Sequence, residues 1–208
     1  MKDCETELVV VRHGETNWNA AGRIQGLLDV PLSERGRRQA RTLASRLAGP
    51  FDAFYCSDLR RTRETAAPFA RRLGLSPVYD ERLREWHLGD FENRTYAELQ
   101  HHFERELAGF INMDPDLVIP AGESYRQFFG RSLSGVEAIV AKHPGQRLLM
   151  VSHGGVVINL LRRAKGIAIE ERARFWVPNT GMVRFTLRHG AELIWEEFEA
   201  DFELKSYP

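Results

Sequence analysis

The sequence predicts an α/β fold, a three-layer α/β/α sandwich around a mainly parallel central sheet, and three observations carry that prediction. The run Leu8-Val9-Val10-Val11 is apolar without alternation, as a strand buried on both faces requires. The pattern returns at Leu148-Leu149-Met150-Val151, and each run leads into a histidine followed by glycine, His13-Gly14 and His153-Gly154. Stretches of helical periodicity separate the strands, and alternating strands and helices imply parallel pairing with helices on both faces.

The elements follow in order. Strands are predicted at Leu8–Arg12, Ala53–Ser57, Leu148–Ser152, Val183–Leu187 and Leu193–Trp195. Ala40, Leu43, Ala44 and Leu47 recur at helical spacing, with Ser33 as the N-cap. Thr62–Leu73 reads as a second helix closed by Gly74. Phe129, Leu133, Val136 and Val140 form the stripe of a third, with Ser124 and Gln127 in capping-box register and His143-Pro144-Gly145 as its stop. Val156 to Leu161 continue the second histidine strand as a helix. The stretch from Asn93 to Gly122 stands apart, with one helix from Tyr96 to about Ala108 followed by Pro115 and Pro120. The acidic run Glu196 to Glu203 carries Phe198 and Phe202 and reads as a packed terminal segment with a solvated face. A homodimer contact is its alternative use.

At 208 residues the chain is expected to form one domain, 1–208, with room for a substantial core. Its 29 acidic and 29 basic residues balance, which argues against a nucleic-acid partner. No apolar run approaches membrane-spanning length, and Met1 to Glu5 has no apolar signal region, so no membrane partner is expected. Two cysteines, Cys4 and Cys56, do not make a disulfide framework; a cytoplasmic location fits best.

The chemistry sits at strand ends, where ligands bind in open α/β sheets. In Arg12-His13-Gly14, a histidine can attack phosphorus, an arginine can hold phosphoryl oxygens, and glycine lets the backbone approach an anion. Tyr55 to Thr62 is another strand end that carries arginines and opens a helix, and Leu83 to Gly89 supplies a carboxylate in a loop. Two histidines, two arginines and one glutamate, each at a strand end or in a loop, can thus form one site for an anionic substrate. Other phosphatase chemistries fit poorly. The sixth residue after Cys56 is Thr62 and after Cys4 is Val10, so no Cys-x5-Arg loop exists. Asp114-Pro115-Asp116-Leu117-Val118 mimics the motif of magnesium-dependent aspartyl phosphatases, but the preceding apolar run is short and Pro115 is restrictive. No His-x-x-x-His or clustered cysteines suggest a metal, and no cofactor is expected.

Taken together, Arg12 to Asn19, Gln25-Gly26 with Asp29 to Ser33, Ser57 to Arg61 with Thr65-Ala66, Leu83 to Gly89, Pro120 to Ser124 and Ser152 to Gly155 resemble the histidine phosphatase superfamily, also called phosphoglycerate mutase-like. The matches run in family order from about residue 8 to about residue 166. Length and loops are most similar to its small-metabolite phosphatases, such as the ribazole-phosphate phosphatases. The resemblance implies the same three-layer architecture and assigns roles. His13 is the nucleophile and forms a phosphohistidine; Arg12, Arg61 and His153 surround the phosphoryl oxygens; Glu85 is the general acid and then the base. Arg61 is chosen over Arg60 because it holds the family's position. Asn19, Gln25 and Gly154 are expected to bind phosphate or substrate. The 93–122 segment becomes a helical insertion over the site.

The implied activity is metal-independent hydrolysis of a small phosphomonoester. A phosphoglycerate mutase is the alternative, disfavoured because no Arg-Arg pair lies between Glu85 and Ser124. A non-catalytic phosphoprotein or partner-binding role is disfavoured by the complete residue set. Two departures from the family pattern bear on local backbone: Glu92-Asn93 where Glu-Gly is usual, and Pro120-Ala121-Gly122 where Pro-Gly-Gly is usual.

Overall fold

The computed structural model describes residues 5–171, 174–190, 193–203 and 206–207; Cys4 and the residues before it lie outside these. The order is β1 (Glu5–Arg12), the short α1 (Asn17–Ala20), α2 (Glu34–Arg46), β2 (Ala53–Cys56), α3 (Arg60–Leu73), β3 (Val78–Tyr79), α4 (Tyr96–His102), α5 (Glu104–Ile111), α6 (Tyr125–Val140), β4 (Arg147–Ser152), α7 (Gly154–Ala164), β5 (Arg174–Phe175), β6 (Met182–Arg188), β7 (Ile194–Ala200) and β8 (Ser206–Tyr207).

Six strands form one sheet in the order β3-β2-β4-β1-β6-β7, and β5 pairs with β8 separately. The sheet is parallel from β3 to β1 and antiparallel at β6 and β7. Both faces of β1 are buried, which explains its unbroken apolar run. Leu8 and Val10 join the core under α6 and α7, whereas Val9 and Val11 join the core under α2 and α3. This is the predicted α/β/α sandwich. Because β1 and β4 are adjacent and parallel, with Arg12 beside Ser152, the two His-Gly strand ends emerge side by side.

The predicted caps hold. The Ser33 side chain accepts from Gly36 N–H, Ser124 and Gln127 make a reciprocal capping box, and Gly74 ends α3 in the left-handed conformation. Two elements differ from expectation. The single helix from Tyr96 is two, broken at Phe103, whose backbone leaves the helical region at φ −141°. Its ring packs edge-on to Phe91 at 5.5 Å with the Arg94 guanidinium over it, so tertiary packing overrides a continuous helical pattern. The strand expected at Leu193–Trp195 runs on to Ala200 as β7. Its alternation is read by its partner β6: Phe198 meets Phe185, while Glu196 and Glu199 pair with Arg188 and Arg184.

Both departures from the family's glycines fall on left-handed backbone, Asn93 at φ 64° and Ala121 at φ 59°. Asn tolerates this region, but Ala pays for its Cβ. Ala121→Gly is therefore expected to raise unfolding free energy by about 0.5–1 kcal/mol, net of glycine's extra backbone entropy. Urea titration checks this; an unchanged or lower midpoint contradicts it.

Candidate active site

The two histidines and the arginines are hung from the carboxyl ends of β1, β2 and β4, and the carboxylate from the loop after β3. His13 is 2% exposed and its backbone N–H donates to the Ser152 carbonyl, 2.9 Å. The Nδ1 atom lies 2.8 Å from the Gly14 carbonyl oxygen. A carbonyl can only accept, so Nδ1 carries the proton and Nε2 keeps its lone pair. The loop before β6 fixes this strand end from the other side. Asn179 Nδ2 and Thr180 N–H both donate to the His13 carbonyl, at 3.1 and 3.3 Å. Thr180 does so from φ 61°, a conformation a β-branched residue rarely adopts.

Two guanidinium groups are buried beside His13 and held by carbonyls rather than carboxylates. Arg61 is fully buried in the first turn of α3, and donates to Gly26 and Leu28 carbonyls at 2.7 and 2.9 Å. Arg12 donates to the Val177 carbonyl. Arg60, its neighbour in sequence, turns outward and pairs with Glu64 at 2.7 Å. His153 is fully buried, its ring 5.3 Å from that of His13, with Nε2 2.8 Å from Ser57 Oγ. Four buried polar atoms here have no hydrogen-bond partner among the described residues: Arg12 Nε, Arg61 Nε, His153 Nδ1 and Gln25 Oε1. Such atoms are costly unless a ligand satisfies them, and three of them belong to donor-rich groups suited to an anion.

Asn19 closes the capping box of α1. Its Oδ1 accepts from Thr16 N–H at 3.1 Å and from Asn179 Nδ2 at 3.3 Å. That leaves Nδ2 as its free-standing donor. Glu85 accepts from Trp86 N–H at 3.1 Å and from Gly155 N–H, in the first turn of α7, at 3.2 Å. Its loop is braced by Arg131, which donates to the carbonyls of Arg82, Arg84 and Glu85 and pairs with Glu123. Arg84 adds a forked pair to Asp58 at the end of β2.

Arg12, His13, Asn19, Gln25, Arg61 and Glu85 line one cavity of about 700 Å³. Of the two glycines after His153, Gly155 lines it, whereas Gly154 lies against the Arg12 side chain. Segment 93–122 contributes Tyr96, Phe110, Ile111 and Met113 to the same cavity, while Phe103 packs inward. Sequence reasoning gave no role to Arg131, Asn179 or Thr180 and quoted Gly155 in the His-Gly-Gly motif without assigning it one. For Tyr96, Phe110 and Met113 it weighed pocket lining against packing of the insertion and took packing as the safer assumption, whereas all three line the cavity. The aspartates of the decoy motif lie elsewhere on the surface, Asp116 paired with Arg126. Among the described residues no group of three or more His, Cys, Asp or Glu is placed to hold a metal ion.

A model of the histidine phosphatase superfamily (branch 1) matches residues 8–196. The chain belongs to the histidine phosphatase superfamily. Among relatives of this phosphatase family, "phosphoglycerate mutase-like protein 4" of Arabidopsis thaliana is 42% identical over 163 residues, 76% of this chain and 71% of that protein. The "metal-independent phosphoserine phosphatase" of the same plant is 40% identical over 156 residues, 73% of this chain and 66% of that protein. Among solved structures, mycobacterial glucosyl-3-phosphoglycerate phosphatase in complex with VO3 superposes with a TM-score of 0.80 at 30% identity, covering 95% of this chain and 98% of that one.

Burial, with Arg61 and Arg12 close by, holds the His13 imidazolium pKa well below its ordinary value of 6.5. Burial, Arg61 and His13 do the same to His153. Burial also pushes the Arg61 guanidinium down to about 10, against the pull of Glu85. Both histidines are thus neutral in the folded superfamily member at neutral pH. The unfolded chain takes up protons near 6.5 that the folded one refuses, so their contribution to stability is full above 6.5 and lost as pH falls below it. The loss approaches about 1.4 kcal/mol per pH unit for each histidine. His153→Gln is expected to flatten the fall of unfolding free energy between pH 6.5 and 5, measured in urea. An equal slope in the variant contradicts the assignment.

Proposed function

We propose that this chain is a metal-independent phosphomonoesterase that hydrolyses a small phosphorylated metabolite through a phosphohistidine at His13. The observation that carries the reading is the His13 ring itself. Its Nδ1–H is committed to the Gly14 carbonyl, its charge is suppressed by burial and two guanidinium groups, and its Nε2 is left as a bare nucleophile among unpartnered donors. The similarity to proteins named as phosphatases supports the hydrolytic direction.

In the first step Nε2 attacks phosphorus in line and the P–O bond to the leaving alcohol breaks. Arg12, Arg61, His153 and Asn19 Nδ2 stabilise the charge on the equatorial oxygens. Gln25 sits against the same group. Glu85 gives its proton to the departing alkoxide. In the second step Glu85 takes a proton from water as that water attacks phosphorus, the P–N bond breaks, and inorganic phosphate leaves with His13 neutral again. A dianionic phosphate beside His153 opposes the neighbouring arginines and favours its protonated, donating form. Gly154 acts through Arg12, by leaving room for the guanidinium.

Phosphate release from a panel of phosphomonoesters tests this. Activity is expected to survive chelator and to fall at least about a thousandfold in His13→Ala. Transfer between positions of phosphoglycerate without phosphate release would identify a mutase instead. Equal release by His13→Ala would remove the histidine mechanism.

A Cβ on Gly155 would stand 2.3 Å from Glu85 Oε1 and 2.9 Å from the Phe128 ring. Gly155→Ala is therefore expected to lower kcat by about a hundredfold through a displaced carboxyl group, with a modest loss of thermal stability as the buried Phe128 ring gives way. A loss confined to KM would place the defect in binding rather than in proton transfer.

A further inference from the structure

The cavity has two chemically distinct ends. The charged groups that line it gather at one end, as Arg12, Arg61 and Glu85 beside His13. The remaining charged lining residue among those described, Arg23, is tied to the Asn93 carbonyl and to Glu98 at 3.4 Å. Beyond the phosphate end the wall is aromatic. Trp86 stacks on Phe128 with planes 8° apart and centroids at 5.8 Å, and Phe110 and Tyr125 each lie 5.2 Å from Trp86.

The polar atoms of this wall are already spoken for. Trp86 Nε1–H donates to the Glu123 carbonyl at 2.8 Å. Tyr125 O–H donates to Asn159 at 2.8 Å, and Asn159 Nδ2 donates to Ser132 at 2.9 Å. Against these four side chains a carboxylate or ammonium on the leaving group would lose water and gain no hydrogen bond, which costs several kcal/mol; the polar lining atoms of Asn19, Arg23 and Gln25 lie outside this wall. At the mouth, Tyr96 and Trp176 are about half exposed at 51% and 50%. Both line the same cavity as Trp86 and Phe128, so a ring seated there would contact them. At about 700 Å³ the cavity also far exceeds what a phosphoryl group and a three-carbon alcohol fill.

We propose that the site takes phosphomonoesters whose leaving alcohol is large, uncharged and apolar, with a ring or comparable hydrocarbon body seated against the Trp86–Phe128 wall under Trp176. Small leaving groups bearing a carboxylate or an ammonium are poor substrates. This inference rests on the phosphomonoesterase reading above and adds the class of alcohol.

The test compares 2-phenylethyl phosphate, glycerol 3-phosphate and phosphoserine. All three have primary alkyl leaving groups, so intrinsic reactivity does not decide the ranking. kcat/KM is expected to be at least tenfold higher for 2-phenylethyl phosphate than for either of the others. Trp176→Ala should cut that ratio about tenfold and Trp176→Phe should restore most of it. Hydrolysis with phosphoserine or glycerol 3-phosphate equal or preferred overturns the inference while the phosphatase reading stands. If no ester is hydrolysed, that reading fails, and binding decides the inference alone. Tryptophan fluorescence titration should then give 2-phenylethylphosphonate at least tenfold tighter than 2-carboxyethylphosphonate. Equal or reversed affinities overturn it.

Discussion

Two guanidinium groups buried against backbone carbonyls are the constraint from which the rest of this structure follows. A buried carboxylate partner would have neutralised Arg12 and Arg61 and left nothing for a ligand. Carbonyls of Gly26, Leu28 and Val177 instead fix their direction while leaving the charge available. Neutral imidazoles at His13 and His153 are the electrostatic consequence, because a third and fourth positive charge in the same buried volume is prohibitive. Donors without partners are the geometric consequence. The loop from Gly26 to Leu28, the loop before β6 and the first turn of α3 all serve to aim these two side chains.

The carboxylate side is built by a separate device. Glu85 sits on a loop without regular structure, yet its backbone is clamped from three directions. Arg131 grips the carbonyls of Arg82, Arg84 and Glu85, Arg84 reaches Asp58 just past the end of β2, and Ser152 Oγ donates to the Leu83 carbonyl at 2.8 Å. The Ser152 contact ties this loop to the strand that delivers His153. Acid and imidazoles thus share one framework although about seventy residues of sequence separate them.

Much of this was legible in the sequence, for identifiable reasons. Strand ends are written locally: an unbroken apolar run announces a buried strand, and a histidine and glycine after it announce a loop that faces a ligand. The caps at Ser33 and Ser124 are equally local. What was not legible depended on distant partners. Phe103 interrupts a helix because Phe91 and Arg94 hold its ring, and neither is adjacent in a helical repeat. The extent of β7 is set by β6. Arg131 looks like any arginine on an amphipathic helix until the carbonyls it grips are in view. Tyr96, Phe110 and Met113 have the same composition whether they pack an insertion or line a cavity, and only the fold separates those roles.

Gly14 and Gly36 bring the nucleophile loop and the start of α2 together backbone on backbone, so that a Cβ on Gly14 would stand 2.6 Å from the Gly36 carbonyl oxygen and one on Gly36 only 2.0 Å from that of Glu15. No Cβ fits at either glycine, so neither can be exchanged gradually, although Gln39, Ser33 and Arg35 add side-chain contacts to Glu15 around them. The far end of the cavity is the reverse, a lining of rings and aliphatic chains drawn from α5, α6, α7 and the loops that carry Trp86 and Trp176. Each of these is a side chain that can be exchanged for another of similar size. The architecture thus separates the part that must stay fixed for the reaction from the part that can be altered to admit a different alcohol.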